Sequence, residues 1–165
     1  MSTGKHPRIH VELLPASVDI KNLRTFVREF CIGDSVLPEG ADQVAMTTSE
    51  LLENATKYAS MQWAHYDMRL LDSHARVSVT NSVTAEQRET LISFIAEVGC
   101  GDALGAYTRC LERQSLQEQS QAGLARIRYE ASAELTVSRT GNNICLLARI
   151  PIVRHPMSSS APERT

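Results

Sequence analysis

The chain has 165 residues, of which 42% are hydrophobic and 22% charged, with a formal net charge of -2. That length can bury a sizeable core in one domain, and the near-neutral balance excludes a global field that would draw the chain to nucleic acid or to a membrane surface. Aromatic residues, at 5%, leave few platforms for stacked bases, and no apolar run approaches the roughly 20 residues that span a bilayer.

In chain order, residues 1–8 read as a flexible start without the apolar segment of a signal peptide. Ile9, Val11 and Leu13 alternate with polar residues and predict a first strand. Ser17 is placed to cap a helix over 18–31, with Leu23, Phe26, Val27 and Phe30 on its inner face. Pro38-Glu39-Gly40 punctuates the chain before a second helix over 41–59. Two alternating runs, centred on Tyr66 and Val77, predict strands joined by a hairpin at Asp72-Ser73-His74. Trp63 and Tyr66 read as core or sheet-edge residues.

Thr84-Ala85-Glu86-Gln87 is a capping box opening a helix that ends at Gly99-Cys100-Gly101. Asp102 can cap a further helix with Leu104, Tyr107, Leu111 and Leu116 facing inward. Gly123-Leu124-Ala125 opens a third, with Ile127 and Ala131 on its inner side. Strands over 135–139 and 144–153 turn at Gly141-Asn142. Residues 154–165 read as a disordered tail. The order lacks the regular strand-helix alternation of a doubly wound fold. It predicts an α/β (α+β) two-layer sandwich, its mixed or antiparallel sheet covered by helices on one face. Among the cysteines, Cys31 and Cys145 read as core thiols, and no C-x-x-C spacing suggests a metal.

The second helix is the most informative segment. Glu50 and Asn54 stand one turn apart, about 40° around the axis, and Lys57 lies about 20° to the other side of Glu50. Val44, Thr48, Leu51, Leu52, Ala55 and Ala59 form a separate inward stripe. The polar stripe suits a cation and a phosphate. The same residues also fit a solvated face on which Glu53 pairs with Lys57.

The run Glu50-Leu51-Leu52-Glu53-Asn54-Ala55-Thr56-Lys57-Tyr58-Ala59 resembles the N-box of the GHKL superfamily, the histidine-kinase-like ATPases with the Bergerat fold. Small members include anti-sigma-factor serine kinases of the SpoIIAB and RsbW type. The resemblance covers residues 9–153 and implies one ATPase domain there, with a helical insert at 84–133. It implies that Asn54 ligates magnesium and that Glu50 is the general base of an ATP site, and Lys57 could pair with a phosphate as a point charge. Where the family's D-x-G-x-G motif is expected, Asn81 takes the aspartate's position and both glycines are absent. Gly123, at the reduced lid, could present N–H groups to an anion, with Arg126 and Arg128 beside it.

The expected function is that of a regulatory ATP-binding protein in partner switching, phosphorylating or sequestering a small regulatory protein. The alternative is an inactive pseudo-kinase that acts through binding and dimerisation. A homodimer, docking through residues 84–133, a cytoplasmic location, and no nucleic-acid or membrane partner complete the expectations.

Overall fold

The computed structural model describes residues 6–58, 63–114 and 122–156. Five strands, β1 (Arg8–Leu13), β2 (Ala64–Leu70), β3 (His74–Ser82), β4 (Glu134–Thr140) and β5 (Asn143–Pro151), make an antiparallel sheet. Its order is β1-β2-β3-β5-β4. Strict alternation sorts the side chains: Met68, Val77 and Ala148 lie in one buried row, and Tyr66, Val79 and Leu146 in the next. Only this buried face needs cover, and the helices supply it.

The helices are α1 (Ile20–Gly33), α2 (Pro38–Tyr58), α3 (Ala85–Gly99), α4 (Ala103–Gln114) and α5 (Ala122–Glu130). α2 packs on β3 and β5, with α1 along one flank and α5 along another, while α3 reaches β4. The architecture is the α+β two-layer sandwich expected from the sequence, with the sheet antiparallel throughout the described pairs.

Several local expectations are corrected. Asp19, not Ser17, caps α1, its Oδ1 accepting from the Asn22 N–H at 3.0 Å. A short three-ten turn, Pro15–Ser17, takes up the residue expected to cap. Phe26 is exposed, while Val27 and Cys31 are buried and Leu23 and Phe30 pack partly buried against the core, so the inner stripe of α1 is narrower than expected. Pro38-Glu39-Gly40 is the first turn of α2, where proline loses no helical hydrogen bond. Gly40 is buried there, and a Cβ would stand 3.2 Å from Val36 Cγ1. Its place therefore reflects close packing and not a break in the chain.

The Thr84–Gln87 capping box is present, and Asp102 caps α4 through the Gly105 N–H at 2.7 Å. Leu104 and Leu111 face outward, however, and Ala106 and Cys110 face in. Leucine periodicity misreads α4 because its inner face is built from small residues. Trp63 is exposed and Cys145 is half-buried, neither in the core. Ala59 and Leu116 lie outside the described residues. Beyond β5, Arg154 bridges back to Val36, and its Nη1 donates to Asp34 Oδ2 at 2.6 Å.

One buried polar contact fixes α2 on the sheet. Thr48 Oγ1 donates to Val44 O at 3.0 Å, which leaves Tyr66 to donate its phenol proton to Thr48 at 2.9 Å. Tyr66→Phe removes this bond without stranding Thr48 and should cost about 1 kcal/mol, the net worth of one such bond. Urea denaturation measures it, and an unchanged midpoint would show that the bond does not anchor α2.

Candidate functional site

The site forms where α5 lies antiparallel on α2. At one end Gln43 Nε2 donates to Glu130 O at 3.2 Å. Seven residues along each helix, Gly123 meets Glu50: a Cβ on Gly123 would collide with Glu50 Oε2. Between these points Arg126 Nη1 lies 3.2 Å from Glu50 Oε1, and Arg126 Nε lies 3.0 Å from Glu130 Oε2. Glycine at position 123 lets the first turn of α5 approach the carboxylate closely.

Glu50 is largely withdrawn from water, its side chain 16% exposed. Burial pushes its pKa above the ordinary carboxylate value, and the charge of Glu53 adds to this. Arg126 and Lys57 pull the other way without cancelling the rise. The result is a carboxylate of raised basicity at a helix junction, a property that clusters at functional sites.

Asn54, one turn further along α2, is buried. Lys57 lies on the exposed end of the same helix. Asn81 occupies the helix-facing side of β3, one residue past Thr80, whose partner is His65. That is the end of the sheet where Leu13 pairs with Ala64. The last turns of α2 run to the same end, since Thr56 Oγ1 donates to Pro15 O at 3.4 Å. Glu50, Gly123 and Arg126 are thus in contact and Asn54 flanks them. Asn81 shares their end of the molecule, but its amide donates to Ser82 O at 3.3 Å, and among the described residues no hydrogen bond joins it to Glu50 or Asn54.

Arg128 does not join the site. Its guanidinium donates to Val98 O and, at 2.6 Å, to Gly101 O, closing the end of α3. Sequence reasoning missed the Glu50–Arg126 pair and the Gln43 tether. Their partners are 76 and 87 residues apart, and no local pattern links positions at such separations.

The five-stranded antiparallel sheet with its helices is an α+β fold consistent with the GHKL fold. It matches a chain in the crystal structure of the SiaB–SiaC complex from Pseudomonas aeruginosa with a TM-score of 0.70. That match has 20% identity and covers 86% of this chain and 88% of that one. At this identity the likeness concerns the fold. A weaker match is the histidine kinase domain of the Erythrobacter litoralis EL346 blue-light activated histidine kinase, with a TM-score of 0.43 and 14% identity. It covers 81% of this chain and 59% of that one. No protein-family model and no curated protein matches the chain.

Two stability measurements probe the junction. A raised folded-state pKa means that ionised Glu50 opposes folding above that pKa, and that the penalty fades as pH falls through it. Glu50→Gln should therefore raise the melting temperature by a few degrees at pH 7, with the gain shrinking towards pH 4. A lower melting temperature at pH 7 would contradict this account.

Gly123→Ala should displace the Glu50 carboxylate in the parent chain and be better tolerated beside Glu50→Ala. A double-mutant cycle should give a coupling of at least about 0.5 kcal/mol, the scale for contacting residues. Strict additivity would show that the two do not press on each other.

Proposed function

We propose that this chain is a regulatory ATP-binding protein of the GHKL kind, which phosphorylates a hydroxyl on a small protein partner. The observation that carries the reading is the junction itself. Three of the residues picked from sequence for nucleotide chemistry, Glu50, Gly123 and Arg126, meet at one point although α2 and α5 lie far apart in sequence. Asn54 stands one helical turn away and is buried.

Each residue has a chemical task in this reading. Glu50 accepts the proton of the attacking hydroxyl, a role its raised basicity suits. The N-terminus of α5 directs N–H groups and the positive end of its dipole towards the nucleotide phosphates. Arg126 exchanges its bond to Glu50 for one to a phosphate oxygen, which frees the carboxylate as ATP arrives. Lys57 adds a second positive charge.

The donor set is compatible with magnesium. Among the described residues no cluster of three His, Cys, Asp or Glu side chains could hold a metal. Magnesium instead commonly uses one or two protein oxygens together with phosphates and waters, and the Asn54 amide oxygen can supply one. Bound with ATP, it would neutralise phosphate charge during transfer. Asn81 offers an amide oxygen to an adenine amino group.

The partner is a small regulatory protein. The structural relative in the SiaB–SiaC complex was itself solved bound to a second protein. Leu104 and Leu111, exposed on α4, give the helical segment 84–133 an apolar surface for such a partner or for a second copy of the chain. No described helix is long and apolar enough to cross a membrane, and we assign the protein to the cytoplasm.

A second reading, an inactive module that sequesters its partner, draws support from the same site. Arg126 already occupies Glu50, and β3 runs through Asn81 to Ser82 without a glycine to admit the nucleotide. Calorimetry with ATP and magnesium separates the two. The kinase reading expects binding that weakens at least about tenfold in Asn54→Ala or without magnesium, equivalent to 1.4 kcal/mol. It also expects phosphotransfer lost in Glu50→Gln. Absence of heat at millimolar ATP, in a folded sample, would sink it and leave the sequestering module.

A further inference from the structure

The sheet face turned away from the helices holds a different cluster. Arg8 stands opposite Arg69, Arg69 opposite Arg76, and Arg76 opposite Arg149. Four arginines therefore form one row across β1, β2, β3 and β5. Directly opposed side chains on neighbouring strands start about 4.5–5.5 Å apart, and like charges so placed destabilise the pair. Natural proteins tolerate local conflicts of this kind at functional sites and offset them elsewhere.

Compensation within the chain is partial. Asp67, in the adjacent row, accepts from Arg8 Nε at 2.6 Å and from Arg69 Nε at 3.2 Å. His10 Nδ1 lies 3.2 Å from the same carboxylate. Burial would raise the Asp67 pKa, yet the hydrogen bond and charge of Arg8, aided by Arg69, hold it below the ordinary value, so the carboxylate is ionised at neutral pH. At the far end Glu134 Oε2 lies 3.4 Å from Arg149 Nη1. Arg76, with an arginine on either side, makes no hydrogen bond or ion pair among the described residues.

A depression of about 320 Å³ opens beside this gap, lined by Arg8, Asp67, Arg69, Arg76, Ser78 and Leu147. Three guanidinium groups against one carboxylate leave it a local charge of +2. We propose that this depression is a binding site for a phosphate group, free or as a monoester, held by the guanidinium forks of Arg69 and Arg76 and by the Ser78 hydroxyl.

The charge matches. A phosphate monoester carries about -1.5 to -2 at neutral pH, and planar guanidinium groups pair with it in bidentate fashion. The volume lies at the lower end of small-ligand sites, enough for a phosphorylated side chain. A single short row suits one phosphate better than the repeating backbone of a nucleic acid. A second copy of the chain would set one ladder against another of the same sign. The site lies on the opposite face of the sheet from Glu50 and does not rest on the nucleotide reading.

The test titrates the full chain at low salt with a phosphoserine peptide, its unphosphorylated counterpart, inorganic phosphate and a duplex oligonucleotide. The phosphopeptide or phosphate should bind and raise the melting temperature. A tighter phosphopeptide identifies a phosphorylated protein as the source, and equal affinities identify free phosphate. Arg76→Gln should weaken binding about tenfold or more, as loss of a charged hydrogen bond does. The same change should raise the melting temperature of the unliganded protein by relieving the row, which guards against a folding artefact. No binding at about 10 mM ligand, far weaker than charged bidentate contacts give, would overturn the proposal. So would binding indifferent to Arg76→Gln, or an oligonucleotide that outbinds the phosphopeptide.

Discussion

The burial of α2 is the constraint on which the rest of the structure depends. Twelve of its 21 residues are buried, more than one stripe can hold, because the sheet, α1 and α5 all press on it. A helix enclosed on three sides must bury some polar side chains. Thr48 and Ser49 resolve this by donating to the carbonyls one turn back, and Thr48 also receives the Tyr66 phenol. Thr47 Oγ1 is buried without a partner among the described residues, a cost of about 1–3 kcal/mol that the packing around it must offset. The same enclosure withdraws Glu50 from water and gives it raised basicity. The chemistry of the site is thus a by-product of how tightly its helix is held.

α5 shows how close packing and a buried charge meet at one residue. Its approach to α2 needs a residue without a side chain at the crossing, and Gly123 supplies it. Glycine in a helix costs about 1 kcal/mol relative to alanine. A purely structural helix would therefore gain from alanine here, were the neighbouring atom not a carboxylate. Arg126, one turn on, offsets part of that carboxylate's burial, and Glu130 steers the guanidinium from its other side. The arrangement holds Glu50 in a paired state.

Much of this was legible in the sequence, for physical reasons. The sheet follows from period-two alternation, which is strict in β2, β3 and β5 because one face is buried and the other is wet. The α3 cap follows from a four-residue motif whose hydrogen bonds are local. Glu50 and Asn54 are one turn apart on one helix, so their shared location needs no tertiary information. The misreadings share a different cause. α4 was misjudged because Ala106 and Cys110, small residues, face the core while its leucines face water. Pro38-Glu39-Gly40 suggested a break because proline and glycine signal both turns and first helical turns. The Glu50–Arg126 pair and the arginine row were invisible because each joins residues from distant segments through sheet register and helix crossing.

The two regions proposed to bind anions lie on opposite sides of one sheet, and β3 presents side chains towards each. Val77, Val79 and Asn81 face the helices, while Arg76 and Ser78 face outward. Alternation lets one strand serve two unrelated chemistries, provided their charges do not interfere. The layers of a sheet sandwich are about 10 Å apart, and charges in water are screened over about 8 Å at physiological salt. Glu50 feels Arg126, Glu53 and Lys57 on its own side. Asp67 likewise answers to Arg8, Arg69 and His10, its neighbours on the open face. Met68 and Val77 lie between them in a buried apolar layer that itself screens no charge, so distance and the water on each open side are what weaken their interaction. A substitution on one face therefore acts mainly on that face, and stronger communication between the two would travel through movement of β3 and α2.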